Sequence, residues 1–264
     1  MKFTKMQGLG NDYLYVYGEV PANISELSRK LSERHFGAGA DGMIYISKST
    51  AADFKMRIFN ADGSEAKMCG NGIRCVGKYV YDKGYTDKKF LSVETLSGIK
   101  HLTLQVAGGK VKNVTVDMGK AEVGKPLTLT VDGIFISLIP VSMGNPHAVI
   151  FVDDIKTAPL IAIGPRIERH EAFPDGVNVE FVKIISENKL CMRVWERGSG
   201  VTLACGTGAC ASVMAAVYTH NSHYDETVWV ELDGGTLKVK INPDNTVQMT
   251  GPAETVYEGE TEIC

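Results

Sequence analysis

The chain has 264 residues, 44% of them hydrophobic and 22% charged, with a formal net charge of −3 at pH 7. That length holds one large domain or two ordinary ones, and that apolar content excludes a disordered chain. No basic run marks a nucleic-acid or membrane surface, and no apolar stretch reaches the length of a membrane-spanning helix. The opening MKFTKMQGLGNDY lacks the apolar core of a signal peptide, so a cytoplasmic protein with reduced cysteines is expected. Catalysis, metal binding or plain burial then remain as uses for the six cysteines.

Apolar alternation predicts strands at Lys2–Met6 and Tyr13–Tyr17, followed by a helix over Ile24–Phe36 with Asn23 or Ser25 as cap and Gly37 as stop. Strands are predicted at Met43–Ser47 and Phe54–Phe59. A helix follows Cys69, with Ile73, Val76, Gly77 and Val80 at helical spacing. A strand over Lys110–Met118 follows the Gly108-Gly109 turn, and Lys120–Gly133 reads as a crossing between two halves. After Cys205 a second helix, ACASVMAAVY, is small and apolar nearly all round, which predicts burial. Strands Leu237–Ile241 and Val247–Thr250 flank Pro243-Asp244-Asn245, and the chain after Gly251 is expected to return to the first half.

The chain is duplicated. MRIFNADGSEAKMCGNGIRC, from Met56, and MRVWERGSGVTLACGTGAC, from Met192, each reach a cysteine thirteen residues on, followed by Gly-x-Gly. Cys69 and Cys205 lie 136 residues apart. Gly10-Asn11 and Gly144-Asn145 each precede a strand-like run, and so do Gly39-Ala40-Asp41-Gly42 and Gly176-Val177-Asn178. The period is too long for a solenoid, so the expected fold is α+β: two homologous domains, each a mixed or antiparallel sheet wrapped around a central helix. The expected boundaries are 1–119 with the tail 251–264, and 120–250.

A cysteine at a helix start gains thiolate character from the unpaired N–H groups and macrodipole there. Glycines beside it let an anion approach. Two such thiols flanking one α-carbon would remove a proton from one face and return one to the other. A lone cysteine in a Gly/Ala-rich stretch is more often a buried small hydrophobe, and Cys75, Cys191, Cys210 and Cys264 keep that reading. The spacings Cys69…Cys75 and Cys205…Cys210 do not suit zinc, and Gly70, Gly72 and Gly77 do not make a dinucleotide fingerprint.

FNADGSEAKMCGNGIRC, GNPHAV, GVNVEFV and WERGSGVTLACGTGAC, taken together over essentially the whole chain, resemble the diaminopimelate epimerase family. Proline racemases share the doubled fold but typically carry His where this chain has Asn71, and PhzF-like members lack the paired thiols. One departure is Val201, where members often carry an acidic residue. The resemblance implies a cofactor-independent isomerase that interconverts LL- and meso-diaminopimelate on the route to lysine and peptidoglycan precursors. It implies no metal and no organic cofactor, and a homodimer in the cytoplasm. Cys69 and Cys205 would be the acid/base thiols, Cys69 donating and Cys205 accepting in one direction. His147 and Glu196 would tune them. Gly70, Asn71, Gly206 and Thr207 would hold the α-carboxylate. Asn11, Asn60, Asn145, Asn178, Glu196 and Arg197 would bind the other polar groups, and Asp41 would line the site.

Two other readings stand beside this one. A racemase for another amino acid, such as proline, would use the same thiols. A redox sensor would join Cys69 and Cys205 in a disulfide.

Overall fold

The computed structural model describes residues 1–263; Cys264 lies outside the described residues. The chain divides into two units, Met1–Val116 with residues 251–263, and Asp117–Thr250.

The first unit contains β1 (Lys2–Gly8), β2 (Asn11–Tyr17), α1 (Ile24–Ser32), β3 (Gly42–Ser47), β4 (Phe54–Asn60), β5 (Glu65–Ala66), α2 (Gly70–Asp82), β6 (Phe90–Thr95), β7 (Gly98–Ala107) and most of β8 (Lys110–Lys120). The second contains β9 (Glu122–Val123), β10 (Leu127–Val131), β11 (Ile134–Ser142), β12 (Pro146–Phe151), α3 (Leu160–Glu168), β13 (Asn178–Ser186), β14 (Lys189–Glu196), β15 (Gly200–Thr202), α4 (Gly206–Tyr218), β16 (Thr227–Leu232), β17 (Gly235–Ile241) and most of β18 (Thr246–Pro252). The final strand, β19 (Glu254–Glu260), pairs antiparallel with β1 inside the first unit.

The two units repeat one pairing scheme. β2 and β3 are parallel, as are β12 and β13. β4 is antiparallel to β3 and β5 and parallel to β6; β14 is antiparallel to β13 and β15 and parallel to β16. The helices keep the same offset, since α2 starts at Gly70 and α4 at Gly206, 136 residues on. Gly10 (φ 85°) and Gly144 (φ 89°) both turn through the left-handed region that a side chain disfavours, which explains Gly before each asparagine.

In the first unit α2 packs on β1, β2 and β7; in the second α4 packs on β11–β14, β16 and β17. α4 is buried from Gly206 to Val217 apart from Thr207, as its apolar circumference requires. α1 buries Ile24, Leu27 and Leu31, at i, i+3 and i+7, against Leu14, Met43, Tyr45 and Phe59. Each such aliphatic side chain contributes about 1.5–3 kcal/mol.

Two expectations are corrected and one element is added. The helix predicted over Ile24–Phe36 stops at Ser32 because Glu33 is extended (ψ 125°) and the loop folds back as its cap. Ala38 and Gly39 N–H groups donate to Leu31 O at 2.9 and 3.0 Å, and Ala40 N–H to Ser32 O at 3.1 Å. Residues 120–133 are not a bare crossing: β10 pairs with β11, and Leu129 and Val131 enter the core of the second unit. No element is predicted from the sequence at α3, whose interior holds Gly164 and Pro165, two residues that disfavour a helix. Gly164 is there because a Cβ would sit 2.8 Å from Trp195 Cβ, and Pro165 forfeits one intrahelical bond in return for a fixed φ.

Candidate active site

Each unit holds one thiol at the cap of its central helix. Cys69 is the N-cap of α2 with extended backbone (φ −137°, ψ 117°), and Cys205 is the N-cap of α4 (φ −114°, ψ 112°). Each sulfur accepts the N–H of the second glycine beyond it, Gly72 or Gly208, at 3.3 Å in both cases. Each cysteine carbonyl accepts the first intrahelical bond, from Ile73 at 2.9 Å and Ala209 at 3.0 Å. A sulfur thereby stands where a serine or aspartate oxygen usually caps. Cys-Gly-x-Gly is the sequence of that cap.

Around Cys69, the thiol donates to Asn11 Oδ1 at 3.3 Å, and Asn11 Nδ2 donates to Asp41 Oδ2 at 2.9 Å. Asp41 also accepts the Asp12 N–H at 3.1 Å and pairs with Arg34 at 3.2 Å. Burial raises its carboxyl pKa. Asp41 thus holds Asn11 in place. Asn60 ends β4 and donates through Nδ2 to Ser64 Oγ at 3.1 Å. Gly70 and Asn71 open α2, both buried, and the Gly70 carbonyl accepts from the buried Arg74 at 3.1 Å. Tyr13 was not singled out in the sequence. It is buried beside Cys69, and its hydroxyl is pushed well above the usual phenol range by burial first and then by Cys69.

Around Cys205 the neighbours are acidic. The thiol lies 3.5 Å from Thr207 Oγ1, which accepts from Asn145 Nδ2 at 3.3 Å. Burial, then Glu196, then Glu180 raise the Cys205 pKa well above that of an ordinary thiol. The expectation that a helix start lowers the thiol pKa therefore fails for Cys205: burial and two carboxylates outweigh the helix terminus. Glu196, bonded to Thr202 Oγ1, is itself raised, by burial and by Glu180 among its neighbours. Asn178 is buried; its Nδ2 donates to Pro146 O at 2.9 Å and its Oδ1 accepts the Arg197 N–H at 3.0 Å. The exposed Arg197 guanidinium donates to Asp175 O at 2.9 Å. His147 is buried, and its Nδ1 lies 2.7 Å from Glu180 Oε1.

Glu180 was missed. In NVEFVK it alternates with Val179 and Phe181 and reads as the outward residue of a half-buried strand, yet it is 0% exposed. Among the described residues, Cys75 and Cys210 are buried core residues and Cys191 is half-buried. Burial pushes Cys75 up to about 11, and burial with Glu231 and Asp233 raises Cys191.

The pattern of the family described as diaminopimelate epimerase matches residues 3–124 and 139–256, taking in both caps. The chain belongs to the diaminopimelate epimerase family. It is 52% identical over 278 residues to the diaminopimelate epimerase of Phocaeicola vulgatus, covering 100% of this chain and 99% of the relative. It is 51% identical over 279 residues to that of Methanococcus maripaludis, covering 100% of both. As a member of the diaminopimelate epimerase family it is an enzyme of the isomerase class. Among solved structures, a PhzF-family phenazine biosynthesis protein from Bacillus anthracis superposes with a TM-score of 0.80 at 17% identity, over 100% of this chain and 99% of that one. A hydroxyproline epimerase from Agrobacterium vitis gives 0.78 at 16%, over 98% and 91%. These two likenesses are of fold.

Proposed function

We propose that this isomerase interconverts LL-2,6-diaminopimelate and meso-diaminopimelate, using Cys69 and Cys205 as its acid/base pair and neither a metal nor an organic cofactor. The observation that carries the reading is the matched pair of thiol caps, each sulfur 3.3 Å from the N–H of the second glycine of its Cys-Gly-x-Gly. An α-helix leaves its first N–H groups without intrahelical acceptors. The substrate α-carboxylate would lie on those of Gly70, Asn71, Gly206 and Thr207.

The thiolate of one cysteine removes the α-proton and becomes a thiol. The electron pair passes into the carboxylate, giving an enolate-like intermediate whose charge builds opposite the helix termini. The thiol of the other cysteine gives its proton to the opposite face of the α-carbon and becomes the thiolate, so one proton is taken and one returned. A thiol with a raised pKa, as at Cys205, stays protonated at neutral pH and yields a stronger base once ionised.

The remaining polar residues suit a substrate with an amino-acid group at each end. Arg197 pairs with the distal carboxylate, and Glu196 offsets an ammonium. Asn11, Asn60, Asn145 and Asn178 supply hydrogen bonds without net charge. Such a product feeds lysine and peptidoglycan precursor synthesis in the cytoplasm. A homodimer, expected from the resemblance, is checked by sedimentation.

The test is turnover in D2O. LL-diaminopimelate should give the meso isomer with deuterium at the inverted carbon, and Cys69→Ala or Cys205→Ala should abolish it. Wild-type epimerisation by the double alanine variant, or turnover of hydroxyproline in place of diaminopimelate, overturns the reading.

A further inference from the structure

The two caps share their sequence and their sulfur–amide geometry, but they rest on different floors. A Cβ built on Gly72 would lie 2.7 Å from Ile44 Cδ1; one built on Gly208 would lie 2.7 Å from Glu180 Oε1 and 3.3 Å from Cys205 Sγ. Ile44 in β3 and Glu180 in β13 are separated by the same 136 residues as the cysteines. The duplication has therefore put an aliphatic side chain under one cap and a carboxylate under the other. Tyr13 and His147 follow the two Gly-Asn turns at matching places, so the partner of that carboxylate is also particular to the second unit.

The Glu180 and His147 side chains are both 0% exposed and lie 2.7 Å apart. Among the described residues, Glu180 Oε2 and His147 Nε2 are buried without a hydrogen-bond partner. A buried carboxylate with one oxygen unsatisfied is costly, and an apolar residue of similar size is usually the cheaper floor, as Ile44 illustrates. Keeping the acid there requires a role beyond packing.

We propose that Glu180 is a positioning residue for the Cys205 thiol: seated against His147 under Gly208, it sets negative charge beneath the cap of α4 and holds Cys205 protonated in the substrate-free enzyme. This rests on the two-thiol reading above and adds to it a residue that, alongside burial and Glu196, makes the thiols unequal. A helix N-terminus favours an anion, and alone it would draw Cys205 toward thiolate. A carboxylate on the far side of the same glycine opposes that pull. The charged and titratable groups of the cluster are His147 from β12, Glu196 from β14 and Cys205 from the start of α4. Inversion needs one thiol and one thiolate at the outset, and equal cysteines would share neither form reliably.

The test reads each thiol separately. The enzyme is alkylated with iodoacetamide across a pH series, and modification at Cys69 and Cys205 is quantified by peptide mass spectrometry. Glu180→Gln keeps the volume and an acceptor for His147 but removes the charge. The Cys205 midpoint should fall by about one pH unit or more, making Cys205 about tenfold more reactive on the rising limb. The Cys69 midpoint, in the other unit, should not move. The alkaline limb of kcat/KM should fall with Cys205 and be restored by Glu180→Asp. Glu180→Ile, which copies the other unit's side chain, carries the same expectation if the glutamine variant does not fold.

An unchanged Cys205 midpoint with kcat reduced equally at every pH assigns Glu180 to packing alone and overturns the proposal. Alkylation needs no substrate. A moved midpoint in a protein that does not epimerise diaminopimelate would therefore sink the activity reading while leaving this one standing.

Discussion

Cys69 donates its thiol hydrogen bond to Asn11 Oδ1 across 3.3 Å, and Asn11 passes a second bond to Asp41 Oδ2 at 2.9 Å. The asparagine is a neutral spacer between a thiol that must ionise and a carboxylate already there. Asn11→Asp deletes the donor to Asp41 and puts a second negative charge against both groups. The Cys69 alkylation midpoint should then rise by about one pH unit or more, with kcat falling at neutral pH. A midpoint at or below the wild-type value would mean that Asn11 does not face the ionising sulfur.

Stability should decline at alkaline pH as the thiols raised by burial, Cys75, Cys191 and Cys205, ionise, and Cys75 shows how the window arises. Its folded pKa is about 11 against an ordinary value of 9.0. Between those values the folded protein keeps a proton that the unfolded chain has released. The stabilisation is therefore complete below about pH 9 and is lost as pH rises toward about 11. Two units correspond to about 2–3 kcal/mol at most. Tyr15, also raised by burial, acts in the same direction only above its ordinary value of 10.0. The drop in urea midpoint between neutral pH and near pH 10 should be smaller in Cys75→Ala than in wild type, the remainder belonging to Cys205 and Cys191, and the variant starts about 1 kcal/mol less stable from its small cavity. A wild-type protein with no alkaline loss contradicts this.

Arg74 ties the start of α2 to the returning chain. It is 0% exposed, and its Nη1 donates to Gly70 O and its Nε to Pro252 O, each at 3.1 Å. Arg74→Ala removes both bonds and leaves a cavity, so a loss of about 2–5 kcal/mol is expected in chemical denaturation. Arg74→Lys keeps the charge but cannot span both carbonyls, and should still lose more than about 1 kcal/mol. A lysine variant of wild-type stability would show that the two-point geometry contributes nothing.

What could be read from the sequence follows from where its constraints are local. The thiol caps were legible because Cys-Gly-x-Gly writes the cap, the close amide and the helix start into four adjacent residues. The first turns of the strands were legible because Gly10 and Gly144 have φ values that glycine alone accepts readily. α3 was not, since the reason for Gly164 is Trp195, thirty-one residues away in sequence. The C-terminus of α1 was not, because backbone N–H groups from a loop, rather than a recognisable side chain, cap it. Glu180 was hidden by strand alternation, which assigns polar residues outward whatever their partner. A signal was present: aligning the halves sets Glu180 against Ile44 and His147 against Tyr13. Buried apolar positions of one half that turn ionisable in the other are where a duplicated enzyme departs from its own symmetry.

The same asymmetry predicts that two identical substitutions will have unequal costs. Neither Gly72 nor Gly208 has a positive φ, so alanine is compatible with the backbone at both, and a helical Gly→Ala change by itself gains about 0.4–1 kcal/mol. At Gly72 the new methyl meets the ends of flexible side chains, Ile44 Cδ1 at 2.7 Å and Met56 Cε at 3.3 Å. Small rotations relieve both contacts, so Gly72→Ala should fall within about 1 kcal/mol of wild type. At Gly208 the methyl meets Glu180 Oε1, which is held by His147 at 2.7 Å in a fully buried pair. That oxygen cannot retreat without breaking its hydrogen bond, and Cys205 Sγ closes the other side at 3.3 Å. Gly208→Ala should therefore lose about 1–3 kcal/mol and shift the pH dependence of Cys205 alkylation, which Gly72→Ala should not do for Cys69. Equal denaturation midpoints for the two variants would mean that Glu180 yields as easily as Ile44, and that the floor beneath Cys205 is not the rigid element that sets its protonation.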